Sequence, residues 1–105
     1  MVGPFTAVIA PGVFVAARVI KENREVAGFS YHLSAIIGGK REDIYRVDTM
    51  HGGLHEHRFW LEQGRIWLKD EERLYSLREL CGIFHRKINE NWESWVELFI
   101  RHKKG

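Results

Sequence analysis

The sequence predicts an α+β fold, in which a four- to five-stranded, mainly antiparallel sheet is covered by a long C-terminal helix or by two helices. Up to about residue 69 the chain consists of short β-branched and aromatic segments separated by glycines and other turn residues, as is typical of strands. From Asp70 onward, apolar residues recur at intervals of three and four, which is the period of an amphipathic helix. The connections between the strands are too short for parallel crossovers, so the pairing is expected to be antiparallel.

Five segments in the first two thirds of the chain have the composition of strands. They are VFVAARVIKE (13–22), FSYHLSAII (29–37), IYRVDT (44–49), LHEHRFWLE (54–62) and RIWLK (65–69). Residues 5–10 are a candidate for a further edge strand ahead of the Pro11-Gly12 turn, which places the sheet within residues 5–69. The segment GGKRED (38–43) is predicted to be a loop, because it begins with two glycines and is otherwise charged.

The helical part is predicted to cover residues 71–103, either as one helix or as two helices with a bend near residues 89–91. Acidic residues stand at its start and basic residues at its end, which suits the helix dipole. Its apolar stripe includes Cys81, which is expected to be buried and inert, and ends in Trp92, Trp95 and Phe99. The stripe predicts core packing; if the three aromatic residues remain exposed in the monomer, we expect a homodimer or a partner to cover them.

Composition limits the class of protein. A chain of 105 residues has room for one domain (1–105), and 45% apolar residues with 12% aromatics argue against disorder. The net charge of +2 is only mildly basic, and the single cysteine excludes an internal disulfide. Residues 1–17 carry no charged side chain and contain Pro11-Gly12, so they suit neither a signal peptide nor a membrane helix, and a cytoplasmic protein without membrane attachment is expected.

The stretch YRVDTMHGGLHEHRFW (45–60) is the most unusual part of the sequence, because three of the six histidines fall within seven residues. These are His51, His55 and His57, and they are accompanied by Arg46, Asp48 and Arg58. Strand alternation puts His55 and His57 on one face, with Cα atoms about 6.5–7 Å apart. Phe59 and Leu61 share that face, so we expect the helix to cover its apolar end and the histidines to lie at the rim of the core.

Three interpretations of this cluster remain open. The first is a solvated hairpin end whose histidines make ordinary hydrogen bonds. The second is a metal site, in which His51, His55 and His57 (or Asp48 in place of His51) ligate a transition metal such as zinc and leave a position open for water.

The third interpretation is phosphoryl chemistry on RNA without a metal ion. Cleavage by the 2′-hydroxyl needs a base, an acid and cations for the phosphate charge. His55 and His57 would be the proton-transfer pair, because the imidazole pKa lies near neutrality, and His51 would assist them. Arg46 and Arg58 would bind the phosphate oxygens, and Asp48 would orient one histidine.

The pattern R-x-D-x-x-H-x-x-x-H-x-H, formed by Arg46, Asp48, His51, His55 and His57, resembles the signature of small TumE-type toxins of prokaryotic toxin–antitoxin modules. The resemblance implies a ribonuclease-like toxin that pairs with a small helix-turn-helix antitoxin, with the five motif positions as its active site. The chain departs from that family's pattern in the segment TMHGG after Asp48 and in its apolar N-terminus.

The expected function is therefore that of a small toxin-type endoribonuclease that acts on RNA and needs no cofactor. The alternative is a metal-binding or interaction module built on the same histidines. The histidines outside the cluster, His32, His85 and His102, are interpreted as ordinary sheet and helix residues, although His32 could approach the cluster from a neighbouring strand.

Overall fold

The computed structural model describes residues 5–50 and 52–104, with only the backbone described for Phe5 and Lys104. Its sheet has six strands that follow one another in sequence order and pair antiparallel throughout. They are β1 (Phe5–Ala10), β2 (Val13–Glu22), β3 (Glu25–Ile37), β4 (Lys40–Asp48), β5 (His55–Arg58) and β6 (Ile66–Trp67). The α+β class and the antiparallel pairing are confirmed. The expected number of four to five strands is wrong, because residues 5–10 add an edge strand.

Two-residue turns join the long central strands. The residues Asn23-Arg24 between β2 and β3 and Gly38-Gly39 between β3 and β4 all have positive φ angles, from 52° to 79°. Two successive positive φ angles are the mark of a type I′ hairpin turn, whose twist matches that of the flanking strands. The predicted loop over 38–43 is therefore wrong beyond Gly39, since residues 40–43 pair with β3.

The last two strands are shorter than predicted, because residues 59–65 leave the sheet. Trp60 is buried, with its ring centroid 6.0 Å from that of Trp95 in the following helical part. Packing of this indole into the core therefore ends β5 at Arg58 instead of residue 62.

Two helices follow, α1 (Lys69–Leu74) and α2 (Leu77–Lys104). The predicted bend near residues 89–91 is wrong, because the chain breaks at Tyr75-Ser76 instead. The Ser76 hydroxyl accepts a hydrogen bond from the Glu79 amide (3.1 Å), and a Glu79 carboxylate oxygen accepts one from the Ser76 amide (3.0 Å). This reciprocal pair is a capping box, which starts a new helix at Leu77. Within the described ranges, neither helix combines the length and apolar character needed to span a bilayer.

The core lies between α2 and one face of β3 and β4. Buried side chains of that face include Phe29, Tyr31, Leu33, Tyr45 and Val47, and those of α2 include Leu80, Phe84, Ile88, Trp95 and Phe99. The rings of Tyr45 and Trp95 stack at 4.2 Å. Because Trp95 and Phe99 are buried within the chain, they do not supply the exposed surface that suggested a homodimer, which stays a prediction.

The opposite face of the central strands is not covered by α2, and it carries His32, His55 and His57. His55 and His57 are the strand neighbours of Glu56, which is buried with Tyr45 on the helix side. The predicted apolar end, Phe59 and Leu61, packs against the core after the chain has left β5, and Phe59 lines a cavity with Phe99 and Lys103 of α2. We call the uncovered side the open face; the histidines lie on it and not beneath the helix.

Candidate active site

Side chains on the open face form two rows that cross the strands. Residues paired in register share a face, so the pairing places each row directly. The first row is Arg18, Ser30, Asp48, His55 and Trp67, and the second is Ala16, His32, Arg46 and His57. The rows are two residues apart along each strand, so motif residues from β4 and β5 become neighbours.

Five of these and adjoining residues line one cleft of about 210 Å³. They are Arg46, Asp48, His55, His57 and Arg65. Pockets for whole small-molecule ligands usually measure about 300–1,000 Å³. The cleft therefore suits a group of the size of a phosphate better than a complete nucleotide.

His55 is held in one tautomer by the glycine turn before it. Its Nδ1 lies 2.8 Å from the carbonyl oxygen of Gly53. A carbonyl can only accept, so Nδ1 carries the proton, and Nε2 of the neutral ring is left as an acceptor. The side chain is 7% exposed, so this orientation is tightly restricted.

Gly53 suits this turn because its φ angle of +128° is unfavourable for residues with a side chain. A Cβ there would also lie 2.9 Å from a carboxylate oxygen of Glu72, so that side chain would have to shift. The same Glu72 oxygen accepts a hydrogen bond from the Leu54 amide at 2.8 Å. Helix α1 thus fixes the backbone that orients His55.

His57 stacks on Phe59, with ring centroids 3.9 Å apart and planes inclined by 16°. Partial burial is the largest cause that lowers the pKa of His57 below its ordinary value of 6.5. Positive charges lower the pKa further, those of Lys103, Arg46 and Arg65. Asp43 acts in the opposite direction but does not outweigh them. His57 is therefore neutral at neutral pH, in surroundings that favour an anion.

Arg46 and Asp48 form an ion pair within the cleft. The Arg46 Nη2 donates to the Asp48 Oδ2 at 3.0 Å, and the Asp48 Oδ1 accepts a hydrogen bond from the Met50 amide at 2.6 Å. The Asp48 side chain is 4% exposed and that of Arg46 is 51% exposed. Among the described residues, Asp48 thus orients the arginine and the following turn, in place of the histidine that was expected, while Arg46 keeps donors directed to solvent.

One predicted site residue, Arg58, is not brought into the cleft. Arg58 is paired in register with Tyr45 on the helix side, and its Nε donates to the Glu56 Oε1 at 3.0 Å. The Tyr45 hydroxyl donates to the other Glu56 oxygen at 2.5 Å. Burial, and then the charge of Glu56, raise the pKa of the Tyr45 hydroxyl far above its usual range. His51 lies outside the described residues.

The cleft contains groups that sequence reasoning did not select. Arg65 lines it, and its guanidinium lies 5.6 Å from the ring centroid of Trp67, which is 5.3 Å from His55. His32 stands next to Arg46 in the second row, with its Nε2 2.8 Å from the Asp43 Oδ1. Alternation along β3 put His32 on the correct face, whereas the position of Arg65 depends on how the short β6 pairs, which has no clear sequence signal.

A metal site is the alternative prediction for the same cluster. In residues 5–50 and 52–104, no three histidine, cysteine or carboxylate side chains converge as a metal-ligand group. The predicted set includes His51, so it is not tested by these residues.

The chain was compared with protein-family models, with curated proteins and with solved structures, and nothing in the three comparisons matches it.

Proposed function

We propose that the chain is a small endoribonuclease that cleaves RNA without a metal ion, with the open-face cleft as its active site. The observation that carries the proposal is the meeting of two histidines and two arginines in one cleft of β4 and β5. His57 stands across from Arg46 in register, His55 stands across from Asp48, and Arg65 completes the lining. Two imidazoles can serve as the base and the acid of phosphodiester cleavage, and guanidinium groups can stabilise the charge on the phosphate.

The proposed reaction is an internal transfer at phosphorus. The 2′-hydroxyl oxygen attacks the adjacent phosphorus, a P–O2′ bond forms, and the P–O5′ bond breaks. The base removes the 2′ proton and the acid supplies a proton to the departing 5′ oxygen. The products are a 2′,3′-cyclic phosphate and a 5′-hydroxyl end, so atoms and charge balance without a co-reactant.

The environments of the two histidines favour different roles. His57 is the base, because its lowered pKa keeps it neutral and able to accept a proton at neutral pH. His55 is the acid, because its Nδ1–H bond to the Gly53 carbonyl is retained in the imidazolium and makes Nε2–H the group available to substrate.

The two arginines bind the phosphate. Arg46 is aligned by Asp48 and keeps about half of its side chain exposed, so it can donate to a phosphate oxygen without moving the ion pair. Arg65 also lines the cleft, and its charge acts on His57 together with that of Arg46. Fixed positive charge at the position where phosphate charge grows is the main expected source of rate enhancement.

The test is cleavage of single-stranded RNA in the presence of excess chelator. We expect cyclic-phosphate products from the wild-type chain and a loss of at least about 100-fold in rate for His57→Gln and for His55→Gln, the typical contribution of an acid or base. His102→Gln is the matched control, since that side chain is exposed at the end of α2. A substrate with 2′-deoxyribose at the cleavage position should be resistant.

Intact RNA at an enzyme concentration equal to that of the substrate would contradict the proposal. So would cleavage that the two histidine variants leave unchanged while thermal melts show both to be folded. Cleavage of DNA at the same rate would also contradict it, because the reaction needs the 2′-hydroxyl.

The resemblance to TumE-type toxins extends the proposal to a biological setting. The chain would then be the cytoplasmic toxin of a pair whose other member is a small helix-turn-helix antitoxin. The test is the neighbouring reading frame. A short helix-turn-helix gene whose product copurifies with this chain and suppresses RNA cleavage is expected, and an unrelated neighbourhood would contradict the pairing.

The alternative proposal is a metal-binding module in which His55 and His57 act with His51. It expects stoichiometric zinc or a similar metal by elemental analysis and a large fall in melting temperature on addition of chelator. A protein whose melting temperature and RNA cleavage are both indifferent to chelator would contradict it.

A further inference from the structure

We infer that the open face binds single-stranded RNA across the strands, with a base stacked on Trp67 at one end and a phosphate bound by Arg18 at the other. The choice of RNA as the ligand depends on the proposed function. The two end contacts depend only on the geometry of the first row. A binding experiment that involves no cleavage therefore tests them separately from the proposed function.

The cleft is continued by a second one along the sheet. This second cleft, of about 230 Å³, includes Arg18, Ser30 and Met50, and it shares Arg46 and Asp48 with the first. The first row passes through both clefts from β2 to β6. Adjacent strands lie about 4.8 Å apart, so four intervals give a track of roughly 19 Å. A track of this length is longer than one nucleotide, so groups on both sides of a bound phosphate would contact the protein.

Trp67 offers an aromatic surface at one end of the track. It lies on the edge strand β6 and is 44% exposed, in contrast to the buried Trp60 and Trp95. His55 contacts its ring from the side of the cleft. A base next to the cleaved phosphate can stack on such a ring whatever its identity, because every base has a π-face.

Arg18 offers a cation at the other end. It is exposed on β2, and it forms no salt bridge with any side chain in the part of the chain that the structure describes. Its register partner Ser30 is a small hydroxyl residue, which leaves the guanidinium accessible. A guanidinium without a carboxylate partner is well suited to bind a phosphate oxygen with two parallel hydrogen bonds.

The combination selects a single strand. In a duplex the bases are stacked on one another, so none is available to Trp67, whereas a single strand can turn one base out. An acidic protein segment could contact Arg18 and Arg46 through carboxylates, but it would gain nothing comparable from Trp67. The aromatic end therefore favours RNA over an acidic peptide.

The experiment measures binding without cleavage. A fluorescent hexanucleotide with 2′-O-methyl groups throughout lacks the nucleophile, and its affinity for the full chain is followed by anisotropy over a range of salt concentrations. We expect Trp67→Leu to weaken binding about tenfold with little change in salt dependence. Arg18→Gln should weaken binding severalfold and reduce the slope of log affinity against log salt by about 0.7, the loss of one phosphate contact.

Matched controls are available on surfaces away from the track. Tyr75 is 44% exposed, as Trp67 is, and Arg86 is exposed on α2 as Arg18 is on β2. Tyr75→Leu and Arg86→Gln should each leave the affinity within about twofold of wild type, because neither residue belongs to the track. A duplex of the same sequence should bind more weakly than the single strand. Circular dichroism melts confirm that each variant is folded.

The outcomes for this inference and for the proposed function are distinct. No measurable binding, equal binding of duplex, or wild-type affinity in folded Trp67→Leu and Arg18→Gln would overturn the inference, even where cleavage of ordinary RNA upholds the ribonuclease. The expected variant effects without any cleavage would uphold the track and overturn the ribonuclease. A third outcome would be that polyglutamate displaces the oligonucleotide and that Trp67→Leu does not change the affinity. This result would overturn the inference in favour of an acidic protein partner.

Discussion

The lowered pKa of His57 makes the stability of the fold depend on pH. Its folded-state pKa is lowered by burial and by the charges of Lys103 on α2, Arg46 on β4 and Arg65 beside β6, against the single opposing charge of Asp43. Protonation therefore favours the unfolded chain, whose histidine has the ordinary value of 6.5. The contribution of His57 to stability is fully present above pH 6.5. It is lost as the pH falls from 6.5 to the lowered pKa of the folded state.

We expect His57→Gln to be less sensitive to acid than the wild-type chain. The difference in melting temperature between them should be small at pH 7.5 and should shift in favour of the variant as the pH falls from 6.5 towards 5. The control is His102→Gln, which should follow the wild type. A His57 imidazole that titrates at or above 6.5 by NMR would contradict the lowered pKa.

The carboxylate of Glu56 is buried on the helix side of the sheet, where the residue is 3% exposed. It depends on two donors, the Tyr45 hydroxyl and the Arg58 guanidinium. Tyr45→Phe removes one donor and leaves a buried acceptor less well satisfied, which should cost about 1–3 kcal/mol in the free energy of unfolding. Urea denaturation measures this cost, and Tyr75→Phe on the exposed surface should change stability by less than about 0.5 kcal/mol.

At the scale of the elements, the break between α1 and α2 depends on one cap. Ser76→Ala removes the side-chain acceptor of the capping box and should cost about 1 kcal/mol, measured by urea denaturation. Ser94→Ala, at an exposed position inside α2, is the control and should be neutral or slightly stabilising, because alanine is the better helix former. Equal destabilisation by the two substitutions would contradict a role specific to the cap.

Elements with a strong local signal were predictable from the sequence, and those that depend on distant contacts were not. Strand β2 was predicted with its bounds of 13 and 22, because its alternation and both flanking turns are local. The early end of β5 was not predictable, because it depends on Trp60 packing against Trp95. The capping box at Ser76 and Glu79 had a recognisable S-x-x-E signal that the apolar period concealed.

The same distinction between local patterns and distant contacts applies to the candidate site. Alternation correctly put His55 and His57 on one face, and pairing of β4 with β5 brings Arg46 and Asp48 beside them. Phe59 and Leu61 pack against the core as expected, but they do so outside the strand, because β5 ends at Arg58. Over the strands themselves the helix packs on the side of Tyr45. Arg58 was unsuitable as a phosphate ligand for the same reason, because it belongs to the covered side and holds Glu56.

At the scale of the whole molecule, one long helix covers only the middle of a six-stranded sheet. Helix α2 packs on β3 and β4, while β1 and the short β6 lie at the two edges. Backbone amides should therefore exchange with solvent most slowly in β3 and β4 and fastest in β1 and β6. Hydrogen exchange followed by NMR at neutral pH measures this order residue by residue.

The variant that tests this order is Phe84→Ala. Phe84 is 1% exposed and lies against Phe29, so its truncation should cost about 3–5 kcal/mol and speed exchange chiefly in β3 and β4. Leu74→Ala, at a side chain that is 72% exposed, is the control and should leave the exchange pattern unchanged. Slow exchange in β1 would contradict this order if it became slower as the protein concentration is raised. Protection that depends on concentration would mean that a second copy pairs along this edge strand, which carries no charged side chain. The same measurement therefore tests for a homodimer through β1, a surface different from the aromatic end of α2 on which the homodimer was predicted.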